Sequence, residues 1–218
     1  MCFNYKVSII TFFIGIIFSL ILIQYGNKKY ILENKITGIF FIFISFIQFM
    51  DFLFWIDIKN KYGINKIVTI FGPILNICQP LILYLIKYYY YKPNITIFEN
   101  NNLPIALLNV MYFIYFIINY IIFLYNEKTI TSTKNNHLNW PWINYFNPYF
   151  YLILTAINIF YLFDLYYAFI LFIITYFFLY ISATFFYNNI GELWCFFGAF
   201  IPFIIFLIRL DFDYMQGR

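Results

Sequence analysis

Charge is what this sequence has least of: only 10% of its 218 residues are Asp, Glu, Lys or Arg, where a water-soluble domain carries about 25%. With 64% hydrophobic residues and a mean hydropathy of +0.80, the chain reads as a membrane protein. Its net charge of +4 is scattered over short loops with no basic run, so nucleic-acid binding is not expected. Three cysteines, Cys2, Cys78 and Cys195, cannot all pair and show no CxxC spacing, so no disulfide framework is indicated. His137 is the single histidine, and any dyad that needs an imidazole must use it. There is no HExxH, GxSxG or phosphate-binding loop, which removes the recognisable metalloprotease, serine hydrolase and nucleotide-binding classes. The last apolar run has no lysine to hold retinal as a Schiff base. No cofactor is indicated. Internal repeats, Ser- or Gly-rich linkers and space for a soluble domain are also lacking.

What is present is a series of apolar runs. A helix that crosses a bilayer needs about 20 such residues at a rise of about 1.5 Å each. Seven runs qualify: Val7–Tyr25, Ile36–Ile58, Ile67–Tyr91, Leu103–Tyr125, Phe146–Phe163, Leu165–Tyr187 and Glu192–Leu210. The expected fold is therefore an all-α, polytopic transmembrane bundle of about seven helices, forming one integral membrane domain over residues 1–218. The first run is long for a signal-peptide core and is followed by no small-residue cleavage site, so it is expected to be retained. Between Phe146 and Tyr187 only Asp164 is charged, which predicts a hairpin of two helices turning tightly at Asp164. The 32 Phe and 23 Tyr reflect an AT-rich genome, such as a viral one, as much as selection for aromatic rings.

Seven spans would place Lys6, Lys59, Lys61, Lys66, Lys128 and Lys134 on the N-terminal face and Lys28, Lys29, Lys35, Lys87, Lys92, Arg209 and Arg218 on the other. Six against seven gives no orientation by the positive-inside rule. The first helix alone, with Lys6 before it and Lys28, Lys29 and Lys35 after it, predicts an exoplasmic N-terminus.

Polar residues inside the second and third runs mark the candidate site. Gln48, Asp51 and Trp55 recur at i, i+3 and i+7 and share one helix face; Thr69, Gly72, Asn76 and Gln79 share another. Joined by a short loop, the two helices are expected to set Asp51 near the depth of Asn76 and Gln48 near Gln79. A mid-helix Asp costs about 2.5 to 3.5 kcal/mol to insert, less towards the ends, and Asp51 lies about a third of the way in; a hydrogen bond within the membrane returns about 0.6 kcal/mol. Such a residue is functional by default, the alternative being that it is protonated or bonded to Asn76 and Gln79 as helix glue. Pro73 and Pro80 leave the carbonyls of Thr69 and Asn76 without their helical donors and predict a kink.

The same count of spans gathers Trp55, Trp140, Trp142 and Trp194 on the N-terminal face, where they read either as an interfacial belt or as the mouth of a site. Cys2, His137, Glu192 and Cys195 fall on that face too and carry the donor types of a transition-metal site, although no ligand spacing unites them. Gly191, Cys195, Gly198 and Pro202 share a face of the last helix, a pattern that suits close helix packing.

The opening Met1, Cys2, Phe3 with Ser8, the Gln48–Trp55 segment with its acidic residue, Gln79 with Pro80, and Gly191, Glu192, Leu193, Trp194, Cys195, Phe196 together resemble a family of uncharacterised small multi-pass membrane proteins of bacteria and large DNA viruses. That pattern more often has glutamate at the position of Asp51 and a small residue at that of Glu192. The resemblance implies that Cys2, Asp51, Trp55, Gln79, Trp194 and Cys195 belong to one site, and it brings no activity. Three functional classes are open: a binding or transport protein using Asp51 with Gln48, Asn76 and Gln79; a small intramembrane enzyme using Asp51 or Cys195; and a non-catalytic membrane scaffold. The lipid bilayer is the one partner expected.

Overall fold

Apolar runs without water to bond their backbone must close their own hydrogen bonds, and the chain does this as helices. The computed structural model describes residues 4–91, 103–126, 130–134, 137–185 and 190–216. In chain order these form α1 (Tyr5–Tyr25), α2 (Ile31–Ile56), α3 (Ile64–Ile77), α4 (Gln79–Tyr91), α5 (Leu103–Tyr125), a hairpin of β1 (Ser132–Lys134) and β2 (His137–Asn139), then α6 (Pro148–Leu162), α7 (Leu165–Phe185), α8 (Ile190–Gly198) and α9 (Ile201–Gln216). The all-α bundle expected from the sequence is present, and its segments follow the seven apolar runs in order.

Local chemistry sets the boundaries. Asn4 caps α1 by accepting the N–H groups of Lys6 and Val7 at 2.9 and 3.1 Å. Asn147 does the same for Tyr149, with Pro148 in the first turn of α6. The α6–α7 turn falls at Asp164, whose carboxylate accepts the Tyr166 N–H at 3.1 Å. The third run is bent by 60° between α3 and α4. Pro80 sits one residue into α4, where its missing N–H ends the ladder of α3.

The first two helices bury polar and small residues beside apolar ones and leave other large apolar side chains exposed. Along α1 the buried residues include Ser8, Thr11, Gly15 and Ser19, while Ile10, Phe13, Ile17 and Leu20 are exposed. Asn34, Thr37, Ser45, Gln48 and Asp51 are likewise buried on α2. Small residues let helices meet closely: a Cβ on Gly15 would stand 2.2 Å from Ser45 Oγ, and one on Gly198 would stand 3.4 Å from Ile44 Cγ2. At Gly198 the neighbour is at ordinary contact distance, so the close approach expected of the last helix is seen at Gly15 and not there.

Four helical segments, Tyr5–Tyr25, Lys28–Ile56, Leu103–Tyr125 and Leu165–Thr184, are long and apolar enough to cross a membrane, and the bent α3–α4 pair makes a fifth if it is one span. Apolar but shorter are Pro148–Tyr161 and Leu193–Ile208. The fold is compatible with a membrane protein.

Candidate functional site

Thr131 marks where the loop between α5 and α6 enters the bundle. Its backbone N–H donates to Asn65 Oδ1 at 2.9 Å, and its carbonyl accepts from Asn65 Nδ2 at 2.8 Å, so a side-chain amide takes the place of a neighbouring strand. Thr69 Oγ1 completes the clasp, 2.9 Å from Thr131 Oγ1 and 3.1 Å from Asn65 Oδ1. All three residues are fully buried. The frame that presents Asn65 is built by Asp57, whose carboxylate accepts the N–H groups of Tyr62, Ile64 and Asn65 at the start of α3. Burial alone would raise the Asp57 carboxyl, but the N–H groups of Tyr62, Asn65, Ile64 and Lys61 hold it below its ordinary value of 3.8.

Beyond the clasp the loop forms the two-stranded hairpin and a short 3₁₀ turn, Pro141–Tyr145, and sends two tryptophans inward. Trp140 and Trp142 are 1% and 0% exposed and stack with ring centroids 5.2 Å apart. The Trp140 indole N–H donates to Asp51 Oδ1 at 3.2 Å. Trp142 packs near Phe54 and lies directly over Gly72, where a Cβ would come within 2.4 Å of its ring.

This arrangement changes the expected pairing of the two polar stripes. Asp51 receives Trp140, and Thr69 and Gly72 receive Thr131 and Trp142. Asn76 is half-buried and has no side-chain hydrogen bond among the described residues. Gln79 Oε1 accepts from Tyr151 of α6, and its amide nitrogen lies 3.5 Å from the Leu75 carbonyl. The physical reason is that two indoles supply donors and large apolar faces together, whereas an Asp–Asn contact supplies polar atoms alone. Of the four tryptophans, Trp140, Trp142 and Trp194 are buried in the protein.

The side chains of α5 and α6 bond carbonyls beside the bend, but not those of Thr69 and Asn76 that the two prolines were expected to free. Tyr112 donates to the Ile77 carbonyl at 2.9 Å, Tyr120 to Ile70 at 3.1 Å and Asn158 to Pro80 at 3.0 Å. Asn158 and Asn109 exchange two amide hydrogen bonds of 3.0 Å. α5 and α6 are thus tied to the backbone of α3 and α4 on both sides of the bend. The residues concerned, Asn109, Tyr112, Tyr151 and Asn158, lie in runs read only for hydropathy. Asn109 and Asn158, alone in apolar surroundings, are the signal that would have found them.

Trp194 lies against Tyr151, ring centroids 6.4 Å apart, and donates to the Thr175 carbonyl at 3.3 Å. It therefore belongs with Gln79 and Tyr151, while Trp140 belongs with Asp51. Cys195 is fully buried. His137, half-buried in β2, has an Nδ1 without a partner among the described residues, and burial pushes its imidazole below 6.5. Cys2 and the side chain of Glu192 lie outside the described residues. Among the described residues no three His, Cys, Asp or Glu side chains come together to hold a metal ion.

Three donors near Asp51 have no partner among the described residues: Gln48 Nε2, Trp55 Nε1 and Trp142 Nε1. A buried polar group left unpaired costs about 1 to 3 kcal/mol, which singles this region out. No known protein family, curated protein or solved structure matches the chain.

Proposed function

We propose that the chain is a multi-pass membrane protein with a polar site inside its helical bundle, centred on Asp51, that binds a small ligand or ion. The observation that carries this reading is a carboxylate with no solvent exposure, one helical turn from the unpaired amide of Gln48. The large apolar side chains exposed along α1, Ile10, Phe13, Ile17 and Leu20, support the bilayer as surrounding medium. Asp51 is fully buried in an apolar helix, and an ionisable residue in such a place marks a functional site by default.

The test is a ligand-dependent shift of the unfolding midpoint in nanodiscs, measured over a panel of decyl probes with cationic, carbonyl or apolar heads. A shift that Asp51→Asn abolishes is expected for at least one probe. If no probe gives an Asp51-dependent shift, the site reading is wrong.

A further inference from the structure

We infer that the Asp51 site takes an uncharged, largely apolar molecule through a hydrogen-bond acceptor, a carbonyl oxygen; this rests on the reading of Asp51 as a site. The unpaired atoms carry the argument, because Gln48 Nε2, Trp55 Nε1 and Trp142 Nε1 are all donors. An indole has no acceptor at all, so the two tryptophans can be satisfied only by a partner that brings one. Gln48 and Trp142 are 1% and 0% exposed, which leaves water little access to either.

The groups share a neighbourhood. Gln48, Asp51 and Trp55 occupy one stripe of α2, about 10 Å long at 1.5 Å per residue. Trp140 is bonded to Asp51, and Trp142 is stacked on Trp140 at 5.2 Å.

Charge chemistry narrows the occupant. A cation needs acceptors, and here the unused groups are donors. An anion would be stripped of water in a low-dielectric interior with no cation among the named groups to pair it. A neutral acceptor meets neither obstacle, and the surroundings of the donors, Phe54, Trp140 and Trp142, are apolar.

The experiment uses the full chain in nanodiscs of ether-linked phosphatidylcholine, whose lipid carries no carbonyl. Its unfolding midpoint is followed by circular dichroism with a decyl-substituted benzoquinone, with decyltrimethylammonium and with decylbenzene. The quinone alone is expected to raise the midpoint. Trp142→Phe keeps a ring and removes the N–H. It should weaken the quinone's apparent affinity about five- to tenfold, the worth of one hydrogen bond. Because it deletes an unpaired buried donor, it should also raise the midpoint without probe. Gln48→Met, similar in shape, is the second variant, with the same two expectations.

In ester-linked nanodiscs a weakened quinone response assigns the site to the lipid's own carbonyl and an unchanged one to a dissolved compound; both uphold the inference. It is overturned if the quinone gives no response, if both variants leave that response untouched, or if both lower the midpoint without probe. An ammonium response that Asp51→Asn abolishes, with none to the quinone, overturns the inference and keeps the proposed function. No Asp51-dependent response to any probe overturns both.

Discussion

The indole of Trp140 donates to the carboxylate of Asp51 at 3.2 Å across 89 residues of chain, so the α5–α6 loop is fastened to the middle of the bundle by the most costly polar residue in it. Trp140→Phe removes that donor while keeping an aromatic ring. A loss of about 1 to 3 kcal/mol is expected, the range for depriving a buried acceptor of its donor. A double-mutant cycle with Asp51→Asn, read by equilibrium unfolding in detergent, should show a coupling well above zero. Additive effects would mean that the contact contributes nothing.

Gly72 is needed for space, since a Cβ there would lie 2.4 Å from the Trp142 ring. Gly72→Ala is therefore expected to destabilise by about 1 to 3 kcal/mol through overpacking. It should also speed amide exchange in residues 137–146, because Trp142 must move. Unchanged exchange in that segment would refute the close packing of α3 against the loop.

At Asp57 the folded chain holds the carboxyl below 3.8, so the native state binds fewer protons than the unfolded one. The stability it contributes is fully present above 3.8 and is lost as pH falls through the lower folded value. Asp57→Asn should flatten that part of the pH profile and weaken the chain at neutral pH. Equal slopes for the variant and the wild type between pH 5 and 2 would refute it.

His137 titrates in a different window with the same sign. Burial lowers its folded value below 6.5, so the neutral ring is the form the fold accepts. Stability is full above 6.5 and declines as pH drops from there towards the folded value. His137→Asn should remove this decline, and NMR of the histidine ring protons in the folded protein should give a midpoint below 6.5.

Asn158 serves the kink, with hydrogen bonds to the Pro80 carbonyl and to Asn109. Asn158→Leu breaks three bonds; at about 0.6 kcal/mol each in a membrane protein, a loss of about 2 kcal/mol is expected. Adding Asn109→Leu should cost less than the sum of the two single changes, since an Asn109 amide already deprived of its partner has little left to lose. Full additivity in the unfolding measurement would show that the amide pair is not a unit.

Much of the framework was legible because its causes are local. Asp164 interrupts an unbroken apolar stretch and turns the chain; Pro80 lacks an N–H and bends the third run. The pairing of Asp51 was not legible. The i, i+3, i+7 spacing says which residues share a face, but it does not say what meets that face, and here the partner came from a loop read as polar. Nor was the burial of Trp140, Trp142 and Trp194 legible, since position in the sequence does not say what will pack around a ring.

By itself the sequence determined the helical, bilayer-suited class, the segment order and the residues whose burial is costly, because hydropathy, proline and capping act within a few residues of the chain. Only the tertiary structure decided that Trp140 answers Asp51, that Asn65 clasps Thr131 and that Tyr112 and Asn158 bond the backbone beside the kink. Those choices span 35 to 89 residues and depend on which shapes and donors fit together once the helices have packed.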